Sequence, residues 1–328
     1  AARRSRANEK SVSHPSIEVR RPTSLPVVIR ARGRATAEAL AVALLAERQQ
    51  LHALQLRHGA ILFRGFDVAG AGDLSKLVAA AGETTLPYRG GGAPRTHLGN
   101  DVYTSTELPR DIRIPLHGEL SFLEVHPSHI WFACLIPPRR GGETVLADAR
   151  KVCRDLEPAV RRRFVERGVR YTCRFRGESA FWSQVDRVQK VTKSWMETFG
   201  TRDRDLAEAR CRELGADVHW LASGTMVMES LRPAVVAHPE TGEAVWFNFA
   251  HLFHLSARRI GWPRYLLSRL LFCRPETRTQ EARYGDGSAI EAGLFADPAN
   301  RQSSPKPRFA DHQSETRASL ENIYFTIA

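Results

Sequence analysis

Lysine is scarce in this chain: six residues, at 10, 76, 151, 190, 193 and 306, while the other 42 of its 48 basic residues are arginine. Methionine occurs three times and cysteine five times, at 134, 153, 173, 211 and 273, with no CxxC pair. An odd number of widely spaced cysteines in a long chain excludes a disulfide framework and a zinc knuckle. Reduced thiols of this kind read as cytoplasmic. Long apolar runs are also missing. The stretch 39–46 (ALAVALLA) is far short of the roughly 20 residues that a membrane span needs, so no membrane partner is expected. No GxSxG and no GxxxxGK[ST] occurs, which removes the motif support for serine hydrolysis and for a P-loop.

What is present is a basic chain of 328 residues with formal net charge +12 and 42% hydrophobic residues, enough to fill a sizeable core. The charge is uneven. Residues 1–34 hold nine basic and two acidic side chains, a net of +7, and the other 294 residues share only +5. Arginines scattered over the chain describe a codon bias better than a nucleic-acid stripe. Residues 1–24, rich in Arg, Ser and Pro, read as a flexible basic arm.

Behind the arm, 26–30 (PVVIR) reads as a strand, and 35–58 has leucines at helical spacing closed by Gly59. A buried strand is expected at 60–66 and an amphipathic helix at 73–81. The glycine-rich loop 89–97 (RGGGAPRTH) has the look of a segment covering a substrate. Residues 117–122 (HGELSF) alternate and 130–136 (IWFACLI) are apolar, so both read as strands. Further strands are expected at 144–147, 169–175, 226–228, 234–237 and 244–249, with a turn at 239–242. Helices are expected at 149–168, 202–214 and 263–273. Short strands with helical insertions favour a β-sandwich or jelly roll over a parallel βαβ sheet. Only 322–327 reads as a strand beyond 291.

The sharpest local feature is His117-Gly118-Glu119. Residues two apart on a strand share a face, so an imidazole and a carboxylate could grip one metal ion there. A distant histidine would complete a facial triad, which leaves positions open for non-haem iron and oxygen. Alone, the pattern is also common on an ordinary surface strand. A second pair, His251 and His254, reads as structural.

Several motifs occur in order: 57–66 (RHGAILFRGF), 102–107 (VYTSTE), 116–122 (LHGELSF), 136–148 (IPPRRGGETVLAD), 239–254 (PETGEAVWFNFAHLFH) and 284–290 (YGDGSAI). Together they resemble the TauD/TfdA-like Fe(II)/2-oxoglutarate-dependent dioxygenases, in particular the SyrP-like branch. The resemblance implies a mainly β fold with helical insertions, a double-stranded β-helix (jelly roll) over 25–294. It implies Fe(II) as metal, with His117 and Glu119 as ligands. It also implies 2-oxoglutarate as co-substrate, hydrogen-bonded by Thr144. O2 would be consumed, and an unactivated C–H bond of a small molecule hydroxylated. By analogy with the branch, that molecule is amino-acid-like and can be tethered to a carrier protein.

The resemblance stops after Leu294, as a frameshift, misassembled gene end or truncation would produce. The family's next segment, with its distal histidine and the arginine that pairs with 2-oxoglutarate, is absent from the sequence. Closing strands of the jelly roll are therefore expected to be missing, and 295–328 to be an atypical, poorly ordered tail. His312 is the one histidine after His254, and Arg317 the nearest following arginine; nothing around His312 reads as the needed strand. The alternatives are a catalytically silent dioxygenase-like protein and, on charge alone, a basic nucleic-acid-associated protein.

Overall fold

The computed structural model describes residues 14, 17–20, 25–108, 112, 114–137, 144–178, 193–271, 278–291, 294, 317–318 and 323–327. Fifteen strands are described: β1 Ile17–Arg20, β2 Val27–Thr36, β3 Ala60–Asp67, β4 His97–Gly99, β5 Val102–Tyr103, β6 His129–Phe132, β7 Thr144–Val145, β8 Val169–Phe175, β9 Asp217–Trp220, β10 Met226–Arg232, β11 Val235–Ala237, β12 Ala244–Trp246, β13 Gln280–Tyr284, β14 Arg317–Ala318 and β15 Ile323–Ile327. They make a five-stranded sheet in the order β1-β2-β3-β15-β6, a four-stranded sheet in the order β13-β8-β10-β9, and three two-stranded ribbons. The chain is thus strand-rich with helical insertions, and no closed barrel is seen among the described residues.

The first sheet begins with a unit that the sequence reading disfavoured. Strands β2 and β3 run parallel, Val27 beside Ile61 and Ile29 beside Phe63. The helices Ala37–Ala46 and Arg48–His58 make the crossover between them. Parallel neighbours need a connection of about a dozen residues or more, which these helices supply. They were expected as one helix; the break falls at Glu47, whose φ/ψ of −107/20 leaves the helical range. Gly59 ends the second at φ 81, a left-handed position that glycine adopts without a Cβ penalty. Leu40, Leu44, Ile29, Ile61 and Phe63 meet in a dry core between helix and sheet.

Ile17–Arg20, inside the stretch read as an arm, is paired antiparallel with β2, and Ile17 is buried. At the other end β15 lies in the stretch read as a tail. It pairs antiparallel with β3 on one side and β6 on the other, Phe325 facing Ile61 and Trp131 in register. His312 and the run 301–308 lie outside the described residues.

The second sheet has β8 at its middle. Its alternation buries Tyr171, Cys173 and Phe175 against Met226, Met228, Trp195 and Phe199. The helix expected over 149–168 is two, Ala149–Asp155 and Pro158–Arg167. Proline drives the preceding residue out of the α region, so the chain turns at Leu156–Glu157 and restarts. The turn at 239–242 closes the β11–β12 ribbon, with Gly242 at φ 67 and His238 donating its N–H to the Glu243 carbonyl at 2.8 Å. Among the described residues no helix is long and apolar enough to cross a membrane.

Candidate metal centre

Residues 117–122 are not a strand. The chain reaches Gly118 as irregular backbone and then turns: Ser121 donates both its N–H (3.2 Å) and its hydroxyl (2.8 Å) to the Gly118 carbonyl. Leu120 is left-handed at φ 54, and the Leu123 N–H returns to the Leu120 carbonyl at 2.8 Å. The alternation that suggested a strand is that of a turn pressed onto a core. Leu120, Phe122 and Leu123 are buried with Tyr171, Phe249 and Phe253 above the second sheet. Ser230 on β10 pins the Phe122 carbonyl with its hydroxyl.

The turn brings His117 and Glu119 together by another route than the one expected. The His117 Nε2 lies 3.1 Å from the Glu119 Oε2, and both side chains are about four-fifths buried. The other ring nitrogen, Nδ1, is 2.7 Å from the Pro115 carbonyl, which can only accept, so Nδ1 carries a proton. The ring packs edge-on against Phe249, centroids 4.9 Å apart at 82°. Gly118 is required by its neighbour: a Cβ there would stand 2.6 Å from the Phe247 ring.

The donor set fits a divalent metal ion. His117 faces an acceptor at each nitrogen, and a neutral imidazole has one proton to give. With Nδ1–H committed to Pro115, the Nε2 and the Glu119 oxygen share one position for a positive charge: a second proton on the ring, which makes an ion-paired hydrogen bond, or a metal ion that takes the place of that proton. A backbone carbonyl holding Nδ1–H is how metal-binding histidines are commonly oriented. Burial pushes the Glu119 carboxyl up, but the His117 contact and the Arg95 charge outweigh it and hold the group below the usual carboxylate range. Glu119 is thereby kept as a ligand-competent anion.

Arg95, which the sequence reading passed over, completes this recess. One guanidinium nitrogen is 3.4 Å from the Glu119 Oε1, and the guanidinium carbon lies 4.8 Å from the Tyr88 ring centre. Burial, with Glu119 close by, pushes the Tyr88 phenol up to about 12, so it stays protonated. Gly90 and Gly91, expected as part of a covering loop, are packed: a Cβ on Gly90 would meet Leu123 and Leu214 at 2.9 Å, and one on Gly91 would meet the Tyr88 hydroxyl. The only hint in the sequence was an arginine inside a glycine-rich loop.

Thr144 stands on β7, beside Ala318 of β14, and takes no part in the polar contacts of His117 and Glu119 described above. His251 and His254 lie in the turn after Phe249, the His254 N–H bonded to the His251 carbonyl at 3.3 Å. No group of three or more His, Cys, Asp or Glu side chains arranged for a metal ion occurs among the described residues.

Comparison with known proteins shows the family. The family model described as "Taurine catabolism dioxygenase TauD, TfdA family" matches residues 22–296. A clavaminate synthase-like protein of Arabidopsis thaliana is 33% identical over 260 residues, 76% of this chain and 71% of its own. The dapdiamide synthesis protein DdaC of Enterobacter agglomerans is 31% identical over 232 residues, 71% of this chain and 66% of its own. Among solved structures, a taurine dioxygenase from Burkholderia xenovorans aligns with 95% of this chain and 80% of its own at 16% identity and a TM-score of 0.37. The chain belongs to the TauD/TfdA family of dioxygenases, which use Fe(II) and 2-oxoglutarate.

Proposed function

We propose that His117 and Glu119 hold Fe(II) in this chain and that Thr144 hydrogen-bonds 2-oxoglutarate. The reaction is hydroxylation of an unactivated C–H bond of a small, amino-acid-like molecule. The observation that carries the reading is the 3.1 Å approach of the His117 Nε2 and the Glu119 Oε2 in a largely buried recess, with Nδ1 tied to the Pro115 carbonyl. When bound, iron and 2-oxoglutarate supply the oxidative decarboxylation that makes O2 reactive toward such bonds.

The residues prepare that chemistry. Pro115 fixes the tautomer of His117, and Phe249 fixes its plane. The Gly118–Leu123 turn sets Glu119 beside it, and the aromatic cluster of Phe122, Phe249 and Phe253 keeps water from the floor of the recess. Removing water strengthens each charge in the site. A double-stranded β-helix is the arrangement we propose for the two sheets. The likeness to a protein named for dapdiamide synthesis supports a small-molecule product; the amino-acid class, free or carrier-tethered, rests on the SyrP-like resemblance.

A second reading has its own support: the sequence after Leu294 lacks the family's distal histidine segment and following arginine. His312 is the candidate third ligand, and without such a ligand the chain is a silent relative. One experiment separates the two. The full chain is titrated with Mn(II) by calorimetry, then supplied with Fe(II), 2-oxoglutarate and O2 and assayed for succinate. Metal binding with succinate release supports the enzyme. Metal binding without succinate supports the silent relative, and no metal binding contradicts both site assignments.

A further inference from the structure

The VYTSTE motif has no role in the metal centre as drawn so far, yet it is tied to the glycine-rich loop around Arg95. The Thr104 N–H donates to the Thr96 carbonyl at 2.9 Å, and the Thr96 N–H to the Thr104 hydroxyl at 2.8 Å. Both hydroxyls, of Thr96 and Thr104, donate to the same Glu107 oxygen at 2.7 and 2.6 Å. The Glu107 N–H closes the clamp on the Pro94 carbonyl at 2.9 Å. Arg95 therefore leaves its backbone between two anchored residues, Pro94 and Thr96, and reaches Glu119, 24 positions along the chain.

Among the described residues, the Arg95 guanidinium is only partly satisfied in the recess it enters. Arg95 meets one carboxylate oxygen at 3.4 Å, a long contact, while its Nε is buried with no hydrogen-bond partner. A second cation, the Lys193 ammonium, lies 5.2 Å from the Tyr88 ring centre, against the same ring as Arg95. A buried guanidinium N–H without an acceptor is costly, and a carboxylate, which matches the guanidinium fork, is the group that relieves it best.

We propose that Arg95 is the carboxylate-binding residue of this recess, held in place by the Thr96–Thr104–Glu107 clamp. The proposal rests on the iron-site reading above for the identity of the neighbouring ligand. The carboxylate comes from 2-oxoglutarate or from the substrate, and the two sources are separable.

The test uses the full chain loaded with Mn(II), and compares it with R95Q, R95K and E107Q. One arm titrates 2-oxoglutarate by calorimetry. The other titrates acetate onto the 2-oxoglutarate complex and reads it by calorimetry and the Mn(II) electron-paramagnetic resonance signal. R95Q is expected to weaken one arm by about 10- to 100-fold, the loss of a charge-assisted pair. R95K keeps the charge but loses the fork, so it recovers part of that loss. E107Q, which leaves the guanidinium intact, weakens the same arm by a few-fold, on the order of one hydrogen bond. Mn(II) affinity and the melting temperature are measured for each variant, and both arms are run on folded protein at saturating Mn(II), so that a change in metal binding does not enter the comparison. A shift confined to the first arm assigns the carboxylate to 2-oxoglutarate, and one confined to the second assigns it to substrate. Equal affinities in wild type and R95Q in both arms overturn the proposal. If the wild type takes no Mn(II), the iron reading fails by itself. The 2-oxoglutarate and acetate titrations are then run on the metal-free chain, where a difference between wild type and R95Q still supports Arg95 and equality still overturns it.

Discussion

A histidine between two acceptors is the smallest unit on which this site depends. The Pro115 carbonyl takes the Nδ1–H, and the Nε2 is left facing the Glu119 carboxylate at 3.1 Å. Each of His117→Ala and Glu119→Ala is therefore expected to weaken Mn(II) binding by on the order of 100-fold or more, read by calorimetry, since each removes a direct ligand. Gly118→Ala places a methyl 2.6 Å from the Phe247 ring, so either the ring or the turn must shift. The expected cost is about 1–3 kcal/mol in a urea melt, the range of overpacked cores, together with a loss of metal affinity. Tyr171→Phe tests the floor. The buried hydroxyl accepts the Phe249 N–H at 2.9 Å, and its removal orphans that donor beside the residue that packs His117. About 1–3 kcal/mol of stability should go with it, measured the same way. At this scale the sequence was half legible. His117 and Glu119 stood out by spacing and chemistry. Arg95 did not, because its partner is set by how the loop at 94–107 folds, and no local pattern encodes that distance.

At the scale of elements, spacing told most where the core alone decides. Strand β8 alternates against one dry face and was readable to the residue, as was the hairpin at 239–242 with its glycine. It failed at 117–122, where an alternating hydrophobic pattern serves a turn and nothing in the pattern records the left-handed Leu120. It also failed at the helix breaks, Glu47 and Leu156–Glu157. The helix Ala149–Asp155 shows how elements are joined. Asp148 caps it by accepting the Arg150 N–H at 2.9 Å, and also grips the Arg150 guanidinium at 2.9 and 3.1 Å. Arg150 in turn donates to the carbonyls of Leu56 and Arg57, tying the end of an earlier helix, and to Glu243 on the ribbon turn. Burial pushes the Asp148 carboxyl up, but the Arg150 hydrogen bonds and charge outweigh it, so its pKa falls below the usual aspartate value. A carboxyl depressed by folding adds stability above its unfolded pKa, near 3.9, and loses it as the pH drops through the folded value. Asp148→Asn keeps a capping oxygen and loses the charge. The gap in melting temperature between wild type and this variant should be widest at neutral pH and shrink as the pH is taken below about 4.

A five-stranded sheet, a four-stranded sheet and one late strand organise the described residues. Strand β15 stands between β3 and β6, so the last described residues hold the first sheet together. Phe325→Pro removes a ladder N–H from that interior position and should lower the melting temperature sharply, whereas a proline on an exposed loop would not. That placement was only partly legible: 322–327 read as a strand, but its partners are more than 190 positions away in the chain, where spacing carries no information. More than half of the +12 charge sits in the first 34 residues of the sequence. His117 and Glu119 are proposed to hold iron in this chain. The most direct measurement is anaerobic titration of the full chain with Fe(II) and 2-oxoglutarate, followed by the visible charge-transfer absorption of the complex, in wild type and in H117A and E119A. One iron per wild-type chain is expected, with a band that needs both additions and is lost in either variant. A wild-type chain that takes up no iron, or variants that keep the band unchanged, would contradict that proposal.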